Sequence, residues 1–164
     1  MAWLTPLGHL VTLLVAANGT PVLLRMVLGP RFGRPLDGGY RLSDGQPLFG
    51  PTKTVRGVIG AVAVTALLAP LLGVPAAVGA LIGSTAMGGD LLSSFLKRRL
   101  GYAPSRTVFG LDQLPESLIP TLAAAPALGL SAWEIAAAVT LFVVIAAVLS
   151  RLSARRARRT GDGA

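Results

Sequence analysis

Five long apolar runs alternate with short polar breaks along this chain, at about residues 2–28, 57–72, 76–97, 114–130 and 132–150. Each approaches the roughly 20 residues that carry an α-helix across about 30 Å of hydrocarbon, the second and fourth falling short. Many of the Gly and Pro residues sit inside these runs, as membrane helices tolerate and soluble ones do not. Asn18-Gly19-Thr20-Pro21 reads as an interruption of the first run, and Gly73-Val74-Pro75 as a tight turn between the second and third. The pattern predicts an all-α integral membrane protein of about five transmembrane helices. They form one domain over residues 1–150, followed by a basic tail over residues 151–164.

The charges orient this path. Arg25, Arg31, Arg34, Arg41, Lys53 and Arg56 lie between the first two runs; Lys97, Arg98, Arg99 and Arg106 lie between the third and fourth. Arg151, Arg155, Arg156, Arg158 and Arg159 follow the fifth, which accounts for all 15 basic residues. Five crossings put every one on the same side, whereas four or six would split them. Cytoplasmic loops carry the excess of Lys and Arg, so the N-terminus is expected outside and the C-terminus in the cytoplasm. The loops at about residues 25–56 and 97–113 are then cytoplasmic, and the outer connections are minimal. Trp3 and Trp133 fall at the outer interface, as an aromatic belt requires. Met1 to Leu24 contains no Lys or Arg, which suits a retained helix better than a signal peptide. The expected location is the cell membrane, with any chemistry facing the cytoplasm.

Composition narrows the chemistry. Apolar residues make up 52% of the chain and charged ones 13%, about half the share of a soluble domain. The net charge of +8 flanks hydrophobic spans, which favours lipid headgroups or phosphorylated ligands over nucleic acid. There is no cysteine and a single histidine, His9, which excludes disulfides, thiolate metal sites and histidine clusters.

Three stretches can carry chemistry. Gly50-Pro51-Thr52-Lys53-Thr54-Val55-Arg56-Gly57 places hydroxyls and two cations just before a helix N-terminus. Free backbone N–H groups and the helix dipole make that a phosphate site, although an ordinary topogenic loop has the same composition. In the third run Asp90, Ser93, Ser94 and Lys97 share one helical face. An ionised Asp inside a span is costly, so Asp90 faces a wet cavity, a partner or a metal, or else pairs with Lys97 or Arg98. Asp112 and Glu116 open the fourth run, either as helix-capping residues or as a second acidic group in the same cavity. Carboxylate oxygens beside Lys and Arg suit Mg²⁺ carrying a phosphorylated substrate.

Taken together these stretches resemble the CDP-archaeol synthase family, within the wider group of CTP:phosphatidate cytidylyltransferases. The resemblance rests on Asn18-Gly19-Thr20-Pro21, Pro35-Leu36-Asp37-Gly38-Gly39, Asp44-Gly45 through Phe49-Gly50 and Lys53-Thr54-Val55-Arg56-Gly57. It continues with Gly83 through Asp90, Ser94 through Gly101 and Leu111-Asp112-Gln113-Leu114, in family order over most of the chain. It implies transfer of a cytidylyl group from CTP to a membrane lipid phosphate, an archaetidic acid-like lipid or phosphatidate, with Mg²⁺ as cofactor. Under it Asp90, Asp112 and Lys97 are catalytic, with Asp90, Asp112 and Glu116 as metal ligands. Lys53, Thr54, Arg56, Ser94, Arg98, Asn18 and Asp37 bind substrate or phosphate. One departure stands out: the family's second Asp in the last motif is replaced by Pro115, followed by Glu116. Either Glu116 serves as the acid or the site has one ligand fewer. The rival readings are a small membrane transporter or a relative without activity.

Overall fold

A computed structural model of the chain describes residues 4–104 and 106–160, with side chains described over 6–104 and 106–151. Its five helices are α1 (Leu4–Leu28), α2 (Val55–Leu71), α3 (Ala76–Arg99), α4 (Gln113–Leu128) and α5 (Ala132–Thr160). Each packs against its sequence neighbour, and α1 also touches α3, α4 and α5, so α1 and α3 form the centre of the bundle. The stretches Pro6–Leu28, Ala76–Arg99 and Ala132–Arg151 are long and apolar enough to cross a membrane. At 17 and 16 residues, α2 and α4 are shorter, the latter only about 24 Å. Exposed Leu23, Met26, Leu67, Leu71, Leu122 and Val144 cover the outside of the bundle, where hydrocarbon rather than water is the neighbour.

Helix α1 runs unbroken through Asn18-Gly19-Thr20-Pro21, where an interruption was expected. Pro21 cannot donate to the carbonyl four residues back. The Thr20 hydroxyl and the Asn18 amide instead donate to the carbonyls of Ala16 and Leu14, at 2.6 and 2.9 Å, and the neighbouring helices hold the segment in place. At the other end of the chain, α5 continues to Thr160, ten residues past the predicted boundary at Ser150. Residues 151–160 contain no Gly or Pro, and arginines near a helix C-terminus complement its dipole. The side chains of Arg155 to Arg159, like Trp3, lie outside the described residues.

The helix ends are closed as the turn residues demand. After α2, Gly73 takes φ +73 and Val74 N–H reaches back to Ala69 O, turning the chain into α3 within four residues. The two long connections, residues 29–54 and 100–112, both lie at the opposite end of the bundle. That end carries every described basic residue, while Trp133 starts α5 at the other. Larger apolar side chains, Leu10, Leu13, Leu14, Val74, Ile82 and Phe142, fill the core at the basic-free end. Towards the basic end the core narrows to Ala17, Ala61, Ala86 and Met87. Small residues draw α2 and α3 together from the Gly73 turn onward. A Cβ on Gly79 or Gly83 of α3 would collide with Thr65 of α2, so these two glycines allow α2 and α3 to lie backbone to backbone.

Candidate active site

A cavity of about 320 Å³ opens where the first turns of the two short helices meet the middle of α3 and the second half of α1. From α1 it is lined by Asn18, Pro21, Val22 and Arg25, which recur at helical spacing on one face. Thr52, Lys53 and Thr54 come from the end of the first connection, Gly57 from the first turn of α2, Met87, Asp90 and Leu91 from α3, and Glu116 from α4. Because α2 and α4 are short, their N-termini reach only this depth, and the space a longer helix would fill is left open.

The charged groups converge within it. Lys53 Nζ lies 2.5 Å from Asp90 Oδ1. Glu116 comes within hydrogen-bonding reach of the Asp90 carboxyl and within electrostatic reach of Lys53 and Asp112. Gly89 sets this approach: a Cβ there would collide with the Pro115 carbonyl and the Glu116 nitrogen, so only glycine lets α4 begin beside Asp90. Thr54 caps α2, its hydroxyl accepting from Gly57 N–H at 3.3 Å. Val55 N–H donates to Arg34 O and Val58 N–H to Thr54 O, at 3.1 and 3.2 Å, which leaves Arg56 N–H as the first-turn donor with no backbone acceptor among the described residues; the helix dipole also favours an anion at this end.

A second charged cluster lies behind the first, at the foot of residues 100–112. Lys97 Nζ sits 2.6 Å from Asp112 Oδ1 as a close ion pair, although that oxygen accepts no well-directed hydrogen bond. The same ammonium donates to Arg106 O at 3.1 Å. Asp112 Oδ2 accepts from Val108 N–H at 2.8 Å, so its side chain closes the loop rather than capping α4. Arg98, 2% exposed, donates to Ala103 O at 2.9 Å, and Arg99 binds Asp44 and the Pro47 carbonyl. The three consecutive cations at the end of α3 therefore lash both long connections to the bundle.

The first connection has its own organiser. Asp37 Oδ2 accepts from Phe49 and Gly50 N–H at 2.9 and 3.0 Å, and Oδ1 accepts from Gly39 N–H. Burial pushes the Asp37 carboxyl up, but these backbone donors outweigh it and hold the group below the usual carboxylate range. Arg56 points away from the cavity and donates to the carbonyls of Gly29 and Arg31.

Of the residues singled out in the sequence, Asn18, Lys53, Thr54, Asp90 and Glu116 line the cavity together. Asp112, Lys97 and Arg98 form the cluster behind it, Ser94 is buried within α3, and Asp37 and Arg56 shape the first connection. Asp90 finds its partner in Lys53, thirty-seven residues away, rather than in Lys97 or Arg98. Arg25, Thr52 and Gly89 belong to the site and were not singled out. Arg25 was legible: it falls seven residues after Asn18, on the same helical face. Nothing local marks Gly89, because its role depends on α4.

These residues fit a magnesium ion. Among the described residues no group of three or more His, Cys, Asp and Glu is placed to hold a metal. Of the cavity's two carboxyl groups, Asp90 and Glu116, only Asp90 has an ion-pair partner among the described residues, Lys53. Mg²⁺ is commonly held by one or two carboxylates, with substrate phosphates and water filling the remaining positions. A cavity with hard oxygen donors, a lysine and the positive end of a helix dipole can hold a nucleotide triphosphate and its cation.

Comparison with known proteins agrees with this chemistry. The family model CarS-like, CDP-archaeol synthase, matches residues 74–157. The CDP-archaeol synthase of Aeropyrum pernix is 38% identical over 147 residues, covering 83% of this chain and 80% of the relative. That of Hyperthermus butylicus is 40% identical over 125 residues, covering 68% of each. A solved structure described as an intramembrane enzyme for archaeal membrane lipid biosynthesis superposes with a TM-score of 0.73. It is 32% identical and covers 88% of this chain and 91% of its own. With the family model spanning half the chain and relatives aligned along most of it, the protein belongs to the CDP-archaeol synthase family.

Proposed function

We propose that this chain is a CTP-dependent cytidylyltransferase that acts on a membrane lipid phosphate at the cavity between α1, α2, α3 and α4. The observation that carries the reading is the meeting of Lys53, Asp90 and Glu116 at the N-terminus of α2, inside a membrane bundle. An oxygen of the lipid phosphate attacks the α-phosphorus of CTP; the bond from that phosphorus to the bridging oxygen breaks, and pyrophosphate leaves. A phosphate monoester already carries a charge of about −1.5 to −2 at neutral pH, so no histidine is needed to activate it.

Catalysis then consists of positioning and charge neutralisation. Asp90 and Glu116 would hold Mg²⁺, which when bound would supply neutralisation of phosphate charge. Lys53 and the Arg56 N–H at the start of α2 bind phosphate oxygens, and Thr54 keeps that helix end in register. Asp112 acts on the carboxyl pair through its charge, and Lys97 and Arg98 fix the connection from which Asp112 and α4 start. Glu116 takes the part that the family gives to the Asp replaced by Pro115. The basic end of the bundle faces the cytoplasm, where CTP is supplied, and the acceptor's tails stay in the bilayer. An archaetidic acid-like ether lipid is the acceptor, as the relatives' names indicate; phosphatidate presents the same headgroup.

Membranes containing the chain, given Mg²⁺, labelled CTP and either an ether-linked or an ester-linked lipid phosphate, are expected to form a CDP-lipid, with the ether lipid preferred. Absence of product with every lipid would overturn the reading. A preference for the ester lipid would reassign the acceptor to phosphatidate.

A further inference from the structure

Two anions must meet in this site, and the cationic groups on its wall are divided between two positions. Lys53 is paired with Asp90 beside Glu116, at the deep side where a metal-bound triphosphate belongs. Arg25, the other cation lining the cavity, takes part in none of the ion pairs formed by the described residues. It lies in the last turn of α1 and is exposed. Next to it on the same helix, Val22, Leu23, Met26 and Val27 are exposed apolar side chains on the membrane side. Arg25 thus stands at the border between the lipid-facing surface of α1 and the interior of the cavity.

A second hollow of about 600 Å³ continues from this point, sharing Pro21, Arg25, Thr52 and Thr54 with the cavity. Arg56 also lines it, and no carboxylate does. Arg56 already donates to the carbonyls of Gly29 and Arg31, which leaves the Arg25 guanidinium as the planar donor fork directed to an incoming anion. A position with cationic donors, no acid and an adjoining apolar face suits a phosphate monoester on a lipid, whose charge is neutralised without a metal. The triphosphate, by contrast, fits the side that holds two carboxyl groups for its cation.

Building on the cytidylyltransferase reading, we propose that Arg25 binds the phosphate of the acceptor lipid at the lateral mouth of the cavity. The lipid's tails lie along Val22 and Met26, and its phosphate is presented to the CTP held near Lys53. Arg25 is therefore a binding residue for one substrate and leaves the other untouched.

The test separates the two substrates in the full-length protein in detergent. Arg25→Ala is expected to raise KM for a short-chain lipid phosphate by about 10- to 100-fold, the worth of a charge-assisted contact, with KM for CTP within about twofold of the parent. Arg25→Lys should fall between, since it keeps the charge and loses the fork. Retained CTP binding by Arg25→Ala shows that the variant is folded. Direct binding of dioctanoylglycerol phosphate, followed by calorimetry without CTP, should weaken in parallel and provides a reading independent of turnover. If Arg25-dependent binding is found but no CDP-lipid forms, the phosphate site stands and the reaction fails. An equal rise in KM for CTP, or unchanged lipid-phosphate binding in Arg25→Ala, would overturn the assignment.

Discussion

Lys53–Asp90 and Lys97–Asp112 are the same chemical pair, at 2.5 and 2.6 Å, built two turns apart along α3. In the first, α3 supplies the acid and the connection before α2 supplies the lysine; in the second the roles are exchanged. What differs is the surroundings. Lys53–Asp90 opens onto a cavity and faces another carboxyl group. Lys97–Asp112 is enclosed by the loop it binds, with its remaining polar atoms directed to Arg106 O and Val108 N. An ion pair that leaves room and unbalanced charge beside it can accept a ligand, whereas one closed by its own backbone holds a fold together.

Neutralising the acid of the open pair gives the largest expected effect. Asp90→Asn should lower CDP-lipid formation by at least about 10²–10³-fold, the loss of a preorganised charge at the reacting phosphates. Its thermal unfolding midpoint should stay near the parent's, because Lys53 and Asp90 both retain contact with solvent. A large drop in that midpoint, with activity preserved in the folded fraction, would make the two pairs alike. Lys97→Met tests the closed pair from the other direction. It removes the closest counter-charge of the enclosed Asp112, leaving only the Arg98 guanidinium in electrostatic reach, and should cost up to about 3–5 kcal/mol of stability. Much of that loss should return in Lys97→Met/Asp112→Leu, read as recovery of the unfolding midpoint.

Gly89→Ala asks whether the open pair depends on the approach of α4. Forcing the Pro115–Glu116 backbone outward by a fraction of an ångström to an ångström should cost about 10²-fold in rate and raise the Mg²⁺ concentration needed for half-maximal activity. Gly88→Ala, where an added Cβ meets nothing within 4 Å, is the matched control and should behave like the parent. The smallest effect concerns the first connection. The Asp37 carboxyl is held below its ordinary value in the folded protein, so its contribution is full above that value and is lost as pH falls through the folded one. Limited proteolysis of residues 29–54 should accelerate on acidification in the parent, while Asp37→Asn, already open at neutral pH, should show little further change.

The membrane architecture was legible because it depends on local quantities. The length of an apolar run and the position of its basic flanks are written in consecutive residues, and all five helices appear near the predicted places. The unbroken course of α1 was not legible: a Pro after Gly-Thr reads as a break until neighbouring helices and the Thr20 and Asn18 back-bonds hold it straight. The candidate residues were visible as types, since an intramembrane Asp90 and a Lys53-Thr54 pair before a helix are both conspicuous. Their pairing was not visible. Helical spacing placed Asp90 with Lys97 on one face, but it carries no information about which loop returns to that face. The spacing of Arg25 from Asn18 was legible, but its proposed part in binding was not, because its charge is already explained locally by topology.

The sequence alone therefore determined the five-helix membrane class, the gathering of basic residues at one end and the family to which the chain belongs. Each follows from hydrophobicity, charge or motif order along the chain, none of which needs a contact between distant residues. The tertiary structure decided which lysine meets which aspartate, where the short helices leave space, and how close α4 lies to Asp90. Those outcomes depend on backbone approach, and one missing Cβ at Gly89 decides whether Glu116 joins the site.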